Sequence, residues 1–246
     1  MLGLFDTDSD GAGSLHGGAP AASAAPCLTR IVADSGDRAA WMYARARGIT
    51  ATDVAKLSTP RSIQSAAYEK LNGSSFSGNS WTNHGRAREP VIAEWVRREH
   101  GIEPSSSLFH AAEERLHLAT PDGIAVRTGG RVELAEIKTT SKAWRSIPRP
   151  YMRQVWWQQY VLGAERTLVV WEQHDNFVPI GEEPLSRWVD RDDEQIALLI
   201  GLAGQLVDEL RDRTARKLEA QAAASARAAR AAEARELYGP GALYVP

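Results

Sequence analysis

The sequence predicts an α/β domain in which a central mixed β-sheet is flanked by helices. Apolar residues recur at helical spacing in three long stretches, at 84–100, 151–162 and 188–213. Three further segments have the composition of strands, namely 116–126, 131–139 and 167–172. Because strands and helices follow one another along the chain, the strands are expected to share one sheet that the helices cover.

The shorter elements and helix ends follow from local signals. Residues 31–47 have helical spacing, and Gly48 is placed to end that helix. Either Thr50 or Thr52 is expected to cap the helix that follows, since a threonine hydroxyl can accept a hydrogen bond from a free backbone amide. Pro90 is expected in the first turn of the helix over 84–100, where a missing N–H has little cost.

The composition is that of a soluble globular protein, with 43% hydrophobic and 24% charged residues among 246. No apolar run approaches the roughly 20 residues that a membrane span needs, and the first residues lack the pattern of a secretory signal. The single cysteine, Cys27, excludes an internal disulfide. These features predict a cytoplasmic protein without a membrane partner.

Composition also divides the chain into three parts. Residues 1–26 are rich in Gly, Ala and Ser and are expected to be a disordered tail. Residues 27–213 carry the periodic segments and form the predicted domain. Residues 214–246 begin with an Ala, Arg and Glu mixture that favours a solvated helical tail or a partner-binding segment.

The formal net charge of −2 counts mildly against a nucleic-acid partner, since DNA-binding proteins are often strongly basic. Arginines nevertheless cluster in the central region, for example at Arg86, Arg88, Arg97 and Arg98, and acidic residues gather downstream. A basic groove with an acidic back is one interpretation. An ordinary solvated surface is the other.

One strand combines a carboxylate and an ammonium on the same side. Side chains alternate along a strand, so Glu136 and Lys138 project from one face and Ile137 points to a core. Asp122 lies in a tight turn upstream, and a hairpin could bring it close to Glu136. Two carboxylates and a lysine form a plausible site for Mg²⁺, which prefers oxygen ligands. The alternative is an ordinary surface Glu-x-Lys pair.

Five blocks over residues 41–172 resemble the YqaJ-like viral recombinase family, the lambda-exonuclease-like branch of the PD-(D/E)XK nucleases, in the order expected for that family. Each block is short, and their order and spacing together carry the resemblance. The blocks are Trp41-x-x-x-Arg45 with Gly48 to Val54, Gly85-x-x-x-Glu89-Pro90, Thr120-Pro121-Asp122-Gly123, Glu136-Ile137-Lys138, and Tyr151 to Val155 running on through Gln158 to Ala164.

The resemblance implies a role for each matched residue. Asp122 and Glu136 would be metal ligands, together with the backbone carbonyl of Ile137. Lys138 would position the attacking water, and Glu89 would hold a second metal or a water bound to it.

Three further residues are matched outside the carboxylate group. Gln154 would lie at the edge of the active site and bond water or substrate. Arg45 would bind a 5′-terminal phosphate with the help of Thr52, which stands where the family often has serine.

Each residue also has a plain structural interpretation. Glu89 could simply be a helix carboxylate favoured by the dipole of the first turn. Gln154 and Gln158 share a helix face and could be surface amides. Arg45 could be solvated or paired with an acidic neighbour. Three tryptophans are expected in the core rather than stacked on bases, at positions Trp156, Trp157 and Trp171.

The resemblance implies a PD-(D/E)XK nuclease-like core with the active site on one sheet edge. It also implies an exonuclease that digests linear double-stranded DNA from 5′ to 3′ with Mg²⁺, or alternatively Mn²⁺, and leaves 3′ overhangs for recombination. Implied partners are DNA ends, a single-strand annealing protein and further copies of the chain, in a bacterial host of a phage or prophage. The rivals are an endonuclease, a single-strand exonuclease and a non-catalytic DNA-binding module.

Overall fold

The computed structural model describes residues 25–73 and 78–239. Its helices are α1 (Arg38–Arg47), α2 (Ala51–Ala55), α3 (Pro60–Asn72), α4 (Ser80–His100), α5 (Arg149–Leu162) and α6 (Asp193–Tyr238). Its strands are β1 (Ile31–Asp34), β2 (Ile49–Thr50), β3 (Glu103–Pro104), β4 (Ser107–His110), β5 (His117–Ala119), β6 (Gly123–Val126), β7 (Val132–Thr140), β8 (Arg166–Asp175), β9 (Val178–Pro179) and β10 (Leu185–Asp190). The predicted α/β class is confirmed.

The larger sheet has the order β10-β8-β7-β6-β3, and β9 pairs with β8 outside this path. β7 runs parallel to β8 and antiparallel to β6, so the sheet is mixed as predicted. A parallel pair needs a crossover, and α5 supplies it between β7 and β8. A smaller sheet has the order β1-β4-β5-β2. β7 is therefore the central strand of the sheet that carries the Glu-x-Lys pair.

The two faces of β7 belong to different parts of the core. Leu134 packs in the core that also contains Trp157 of α5 and Leu206 of α6. Ile137 packs in a second core with Ile92 of α4. The alternation expected of a strand is thus confirmed, with helices on both sides of the sheet. Glu136 points to the α5 side because it shares the parity of Leu134.

Three expectations about helix limits were wrong. Residues 31–34 form a strand that pairs with β4, and α1 begins only at Arg38, where Asp37 caps it. Residues 188–190 belong to β10, whose full register is with β8. In both places a short strand precedes a helix, and tertiary pairing overrides the local helical spacing.

Pro90 is the third difference. It lies inside α4, well after the first turn, because Asn79 caps a helix that begins at Ser80. Gly101 ends that helix in the left-handed conformation (φ 60°), as Gly163 does for α5 (φ 72°). Between Thr50 and Thr52, the cap of α2 is Thr50, which forms a capping box with Asp53.

The ends of the chain are described in part. Most of the predicted tail over 1–26 lies outside the described residues. Ala25 is buried, Pro26–Arg30 form a 3₁₀ turn, and Cys27 belongs to the core. At the other end, α6 continues without interruption from the domain to Tyr238. Within the described ranges, no helix combines the length and apolarity that crossing a membrane requires.

Candidate active site

The centre of the site is the Glu136 side chain, which is only 1% exposed. Its two oxygens accept hydrogen bonds from three side chains. Lys138 and Gln154 both donate to Oε1, and the Gln158 amide donates to Oε2 over 2.6 Å. A buried carboxylate is costly unless it is hydrogen-bonded and paired. These donors offset that cost and fix the orientation of the carboxylate.

Asp122 lies between β5 and β6, directly beside the Glu136 strand. Its amide donates to the Ala135 carbonyl (3.1 Å), and its Oδ2 accepts from the Ile137 amide (2.6 Å). The pairing of β6 with β7 produces this proximity, because Gly123 is opposite Ala135. Burial raises the pKa of Asp122 well above its usual value, and the negative charge of Glu136 raises it further.

Lys138 lies on the same face of β7 as Glu136 and forms an ion pair with it. Its ammonium is also 5.3 Å from the centre of the Tyr151 ring. Burial alone would lower the pKa of Lys138, but Glu136 and Asp122 together raise it above the usual value. The lysine is therefore a cation in this arrangement, suited to donate hydrogen bonds and to stabilise negative charge.

Glu89 approaches this group from α4. A cavity of about 370 Å³ is lined by Glu89 and Arg86 of α4 and by Lys138 of β7. Although Glu89 is exposed on its solvent side, partial burial raises the pKa of its carboxyl, and Lys138 counteracts this. The adjacent Arg88 holds α4 to β8 through two hydrogen bonds to Glu172, of 2.8 and 2.6 Å.

The donor chemistry fits a hard divalent cation. Asp122 and Glu136 supply carboxylate oxygens close together. Their negative charges repel each other, and a bound cation would offset this repulsion. Within residues 25–73 and 78–239, however, no group of three or more His, Cys, Asp or Glu side chains is close enough to form a complete metal site. Protein ligands beyond this pair would have to come from a backbone carbonyl such as that of Ile137, or from Glu89.

The predicted phosphate-binding residues lie elsewhere. The Arg45 guanidinium stacks on the Trp41 ring at 4.3 Å. Burial lowers the pKa of Arg45, and Asp53 opposes this. Lys70 donates to Asp53 (2.8 Å) and to the Arg45 carbonyl (3.2 Å). Thr52 is exposed on α2. The described contact of the Arg45 guanidinium is therefore with Trp41, and none of its described contacts is with the carboxylates of β7.

Helix α5 connects the carboxylate site on β7 with the region around Arg45. Arg153 of α5 donates to the Ala55 carbonyl of α2 (3.0 Å). The next residue of α5, Gln154, donates to Glu136. One helix therefore contacts both the carboxylate site and the short helix that follows Arg45.

The resemblance places Gln154 at the edge of the active site but assigns no role to Gln158. Gln154 and Gln158 are not surface amides, since both donate to Glu136 and Gln158 is fully buried. Their i, i+4 spacing on one face of α5 was the available signal. The expectation of a site at a sheet edge was also wrong, because Glu136 and Lys138 lie on the central strand. Trp156, Trp157 and Trp171 are buried as predicted.

Comparisons with known proteins agree with this architecture. The YqaJ-like viral recombinase domain matches residues 40–165, just over half of the chain. No curated protein matches the sequence significantly. The crystal structure of LHK-Exo in complex with dAMP is similar with a TM-score of 0.58 and 22% identity, covering 74% of this chain and 97% of that one.

Two other structures have the same fold. The alkaline exonuclease LHK-Exo from Laribacter hongkongensis gives a TM-score of 0.56 at 21% identity, over 74% of this chain and 97% of that one. A phage-related exonuclease from Haemophilus somnus 129PT gives 0.55 at 12% identity, over 69% and 96%. The family match includes Asp122, Glu136 and Lys138. The chain therefore belongs to the YqaJ-like viral recombinase family.

Proposed function

We propose that the enzyme digests linear double-stranded DNA from 5′ to 3′ with a divalent cation, releases 5′-mononucleotides and leaves 3′ overhangs. The observation that carries the proposal is the convergence of Asp122 and Lys138 on the buried carboxylate of Glu136, which two glutamines hold. The related LHK-Exo binds dAMP, which is a mononucleotide of the kind that such digestion releases.

In the proposed site, Mg²⁺ or Mn²⁺ is held by Asp122, Glu136 and the Ile137 carbonyl, with Glu89 nearby for a second ion. The cation supplies Lewis-acid stabilisation of charge on the phosphate and makes water more acidic. Lys138 donates hydrogen bonds that orient the attacking water. Because its pKa is raised, its contribution is positive charge and orientation rather than removal of a proton.

The two glutamines have a positioning role. Gln158 is buried and directs one oxygen of Glu136, which leaves the carboxylate a single preferred orientation. Gln154 is closer to the edge of the site and donates to the other oxygen. Because the Glu136 carboxylate is already oriented, it has to move less when the cation binds and the reaction proceeds. Lys138 shares that second oxygen, so the lysine and Gln154 act on the same atom.

Arg45 is proposed to bind the 5′-terminal phosphate, with Thr52 contributing a hydroxyl. A guanidinium can donate to two phosphate oxygens at once. Stacking on Trp41 holds the guanidinium in place. The exposed Thr52 lies in the first turn of α2 and could donate to the same group.

The biological setting is also proposed. The family description refers to a viral recombinase domain, which fits an enzyme of phage or prophage origin acting in the bacterial cytoplasm. The 3′ overhangs would be used by a single-strand annealing protein. A homo-oligomer around the DNA is compatible with this role.

The decisive experiment is digestion of linear duplex labelled at either the 5′ or the 3′ end, with and without Mg²⁺. The proposal expects early release of the 5′ label as mononucleotide, persistence of the 3′ label, and no reaction after chelation. Covalently closed circular duplex should remain intact. Cleavage of the closed circle would favour an endonuclease, and preferential digestion of single strands would favour the second rival. If the protein bound DNA but cleaved none of these substrates, the result would favour a non-catalytic DNA-binding module.

A second experiment tests the recognition of the 5′ end. Arg45→Ala should strongly slow the digestion of 5′-phosphorylated duplex and affect 5′-hydroxyl duplex much less, because the second substrate lacks the phosphate. Arg47→Ala is the matched control, since Arg47 lies on the same helix and contacts Tyr43. Equal losses on both substrates would assign Arg45 to general attraction or to folding.

A further inference from the structure

The last part of α6 projects from the domain. The first part of the helix packs in the core through Ile196, Leu199 and Leu206. Residues 214–237 are exposed, apart from the half-buried Ala234. At 1.5 Å per residue, the helical segment 214–238 is about 36 Å long. Packing against the domain does not stabilise this segment, so an external partner is the interaction to look for.

Charge distinguishes this projecting segment from the rest of the chain. It contains three acidic residues and five basic ones, the latter being Arg216, Lys217, Arg227, Arg230 and Arg235. Its net charge is therefore +2, whereas that of the whole chain is −2. A locally basic segment on an acidic protein is a candidate surface for an anionic partner.

The five cations lie along one side of the helix. Arg216 and Arg227 are separated by about three turns, and Lys217 and Arg235 by five turns. At 100° per residue, all five fall within a sector of about 140°. The glutamates of the segment lie outside that sector, at positions Glu219, Glu233 and Glu236. We call the five cations the basic stripe.

The basic stripe is not neutralised by the protein. Just before it, Arg211 and Arg213 form ion pairs with Asp208 and Glu209. Among the residues that the structure describes, no carboxylate lies within 4 Å of the five cations of the stripe. The only described bond of Arg216 is to the backbone carbonyl of Asp212 (3.2 Å). These charges are therefore available to an external partner.

We propose that the basic stripe binds the phosphate backbone of double-stranded DNA outside the active site. The stripe spans about 28 Å from Arg216 to Arg235, close to the 34 Å or so of one duplex turn. Leu218 and Leu237 are too far apart to form the repeated apolar seam of a coiled coil. The inference rests on the proposed DNA substrate, and it assigns the helix to holding duplex while the site digests an end.

The test measures binding of blunt linear duplex by the full chain without metal, at several salt concentrations. A variant with all five cations changed to glutamine should bind on the order of 10- to 100-fold more weakly at physiological salt. The slope of log affinity against log salt should become shallower by roughly 0.9 for each lost phosphate contact. A matched variant with Arg216, Arg227, Arg230 and Arg235 changed to lysine should retain affinity and slope, since charge is kept.

Three outcomes separate the inferences. Unchanged affinity and slope in the glutamine variant would overturn the stripe proposal while leaving the nuclease intact. A change of oligomeric state in sedimentation, with unaltered affinity per protomer, would instead make the stripe a protein interface and would also overturn it. Failure of the wild-type chain to bind or digest any DNA would refute the proposed function itself. Single-turnover cleavage of the glutamine variant at saturating DNA should remain near that of the wild type.

Discussion

Glu136 and Glu89 are two carboxylates of the proposed site that are held in opposite ways. Glu136 lies on the central strand, is buried, and accepts three side-chain hydrogen bonds. Glu89 is exposed at the rim of a cavity, on a helix that contains a proline one residue later. The contrast indicates that the fold determines the position of Glu136 in advance. Because Glu89 is exposed, we expect its side chain to adjust when substrate or cation binds.

The largest effect is expected at the fixed part of the site. Glu136→Ala or Asp122→Ala should reduce cleavage by about 1,000-fold or more, because the cation that makes water acidic loses its ligands. Binding of duplex without metal should persist, as measured by fluorescence anisotropy. Full cleavage by either variant at saturating Mg²⁺ would remove this site from the mechanism.

Lys138 should follow, with a different kinetic signature. Lys138→Ala should lower turnover by about 100- to 1,000-fold while the metal concentration for half-maximal activity changes little, because the ammonium acts on water and phosphate. A metal titration of single-turnover rates measures both quantities. If the variant needed a much higher metal concentration for half-maximal activity but had normal turnover at saturating metal, this role would be contradicted. Lys138→Arg should recover part of the rate.

The glutamines sharpen the comparison. Gln158→Leu should lower activity by about 10- to 100-fold, a typical loss when a residue that orients a metal ligand is removed. Gln154→Leu should have a smaller effect, since Lys138 donates to the same oxygen of Glu136. If Gln154 proved the more important of the two, it would have to contact substrate directly. Melting temperatures of both variants control for unfolding.

Glu89→Gln should give the smallest loss, about 10-fold, and the loss should shrink as the metal concentration rises. A glutamine retains the shape and one acceptor oxygen, and the exposed rim allows water to replace the lost ligand. Rates measured over a range of Mg²⁺ check this. A loss as large as that of Glu136→Ala, independent of metal, would show that both carboxylates are equally fixed.

Much of the fold could be predicted because the spacing of apolar residues along a helix or a strand follows from burying one face of that element. The alternation on β7 placed Glu136 and Lys138 on one face and Ile137 in the core, as observed. The short strand β1 was missed, since four residues contain too little pattern and its stability comes from pairing with β4. Local spacing also could not reveal that Gln158 would be buried against a carboxylate 22 residues earlier.

The site residues themselves were predicted mostly from resemblance. Glu89, on α4, reaches the cavity only because that helix packs on the opposite face of β7 from α5. No spacing in the chain specifies that packing. Like the roles of the other site residues, the role of Arg45 remains a prediction, and its described neighbours are Trp41, Asp53 and Lys70.

The crowding of charge around Asp122 has a thermodynamic consequence. Because burial and the charge of Glu136 disfavour its ionised form, an active centre with all its carboxylates charged destabilises the folded protein. Asp122→Asn keeps an oxygen for the Ile137 amide and removes the repulsion, so the inactive variant should melt at a higher temperature than the active enzyme. Added Mg²⁺ should raise the melting temperature of the wild type and should have much less effect on the variant.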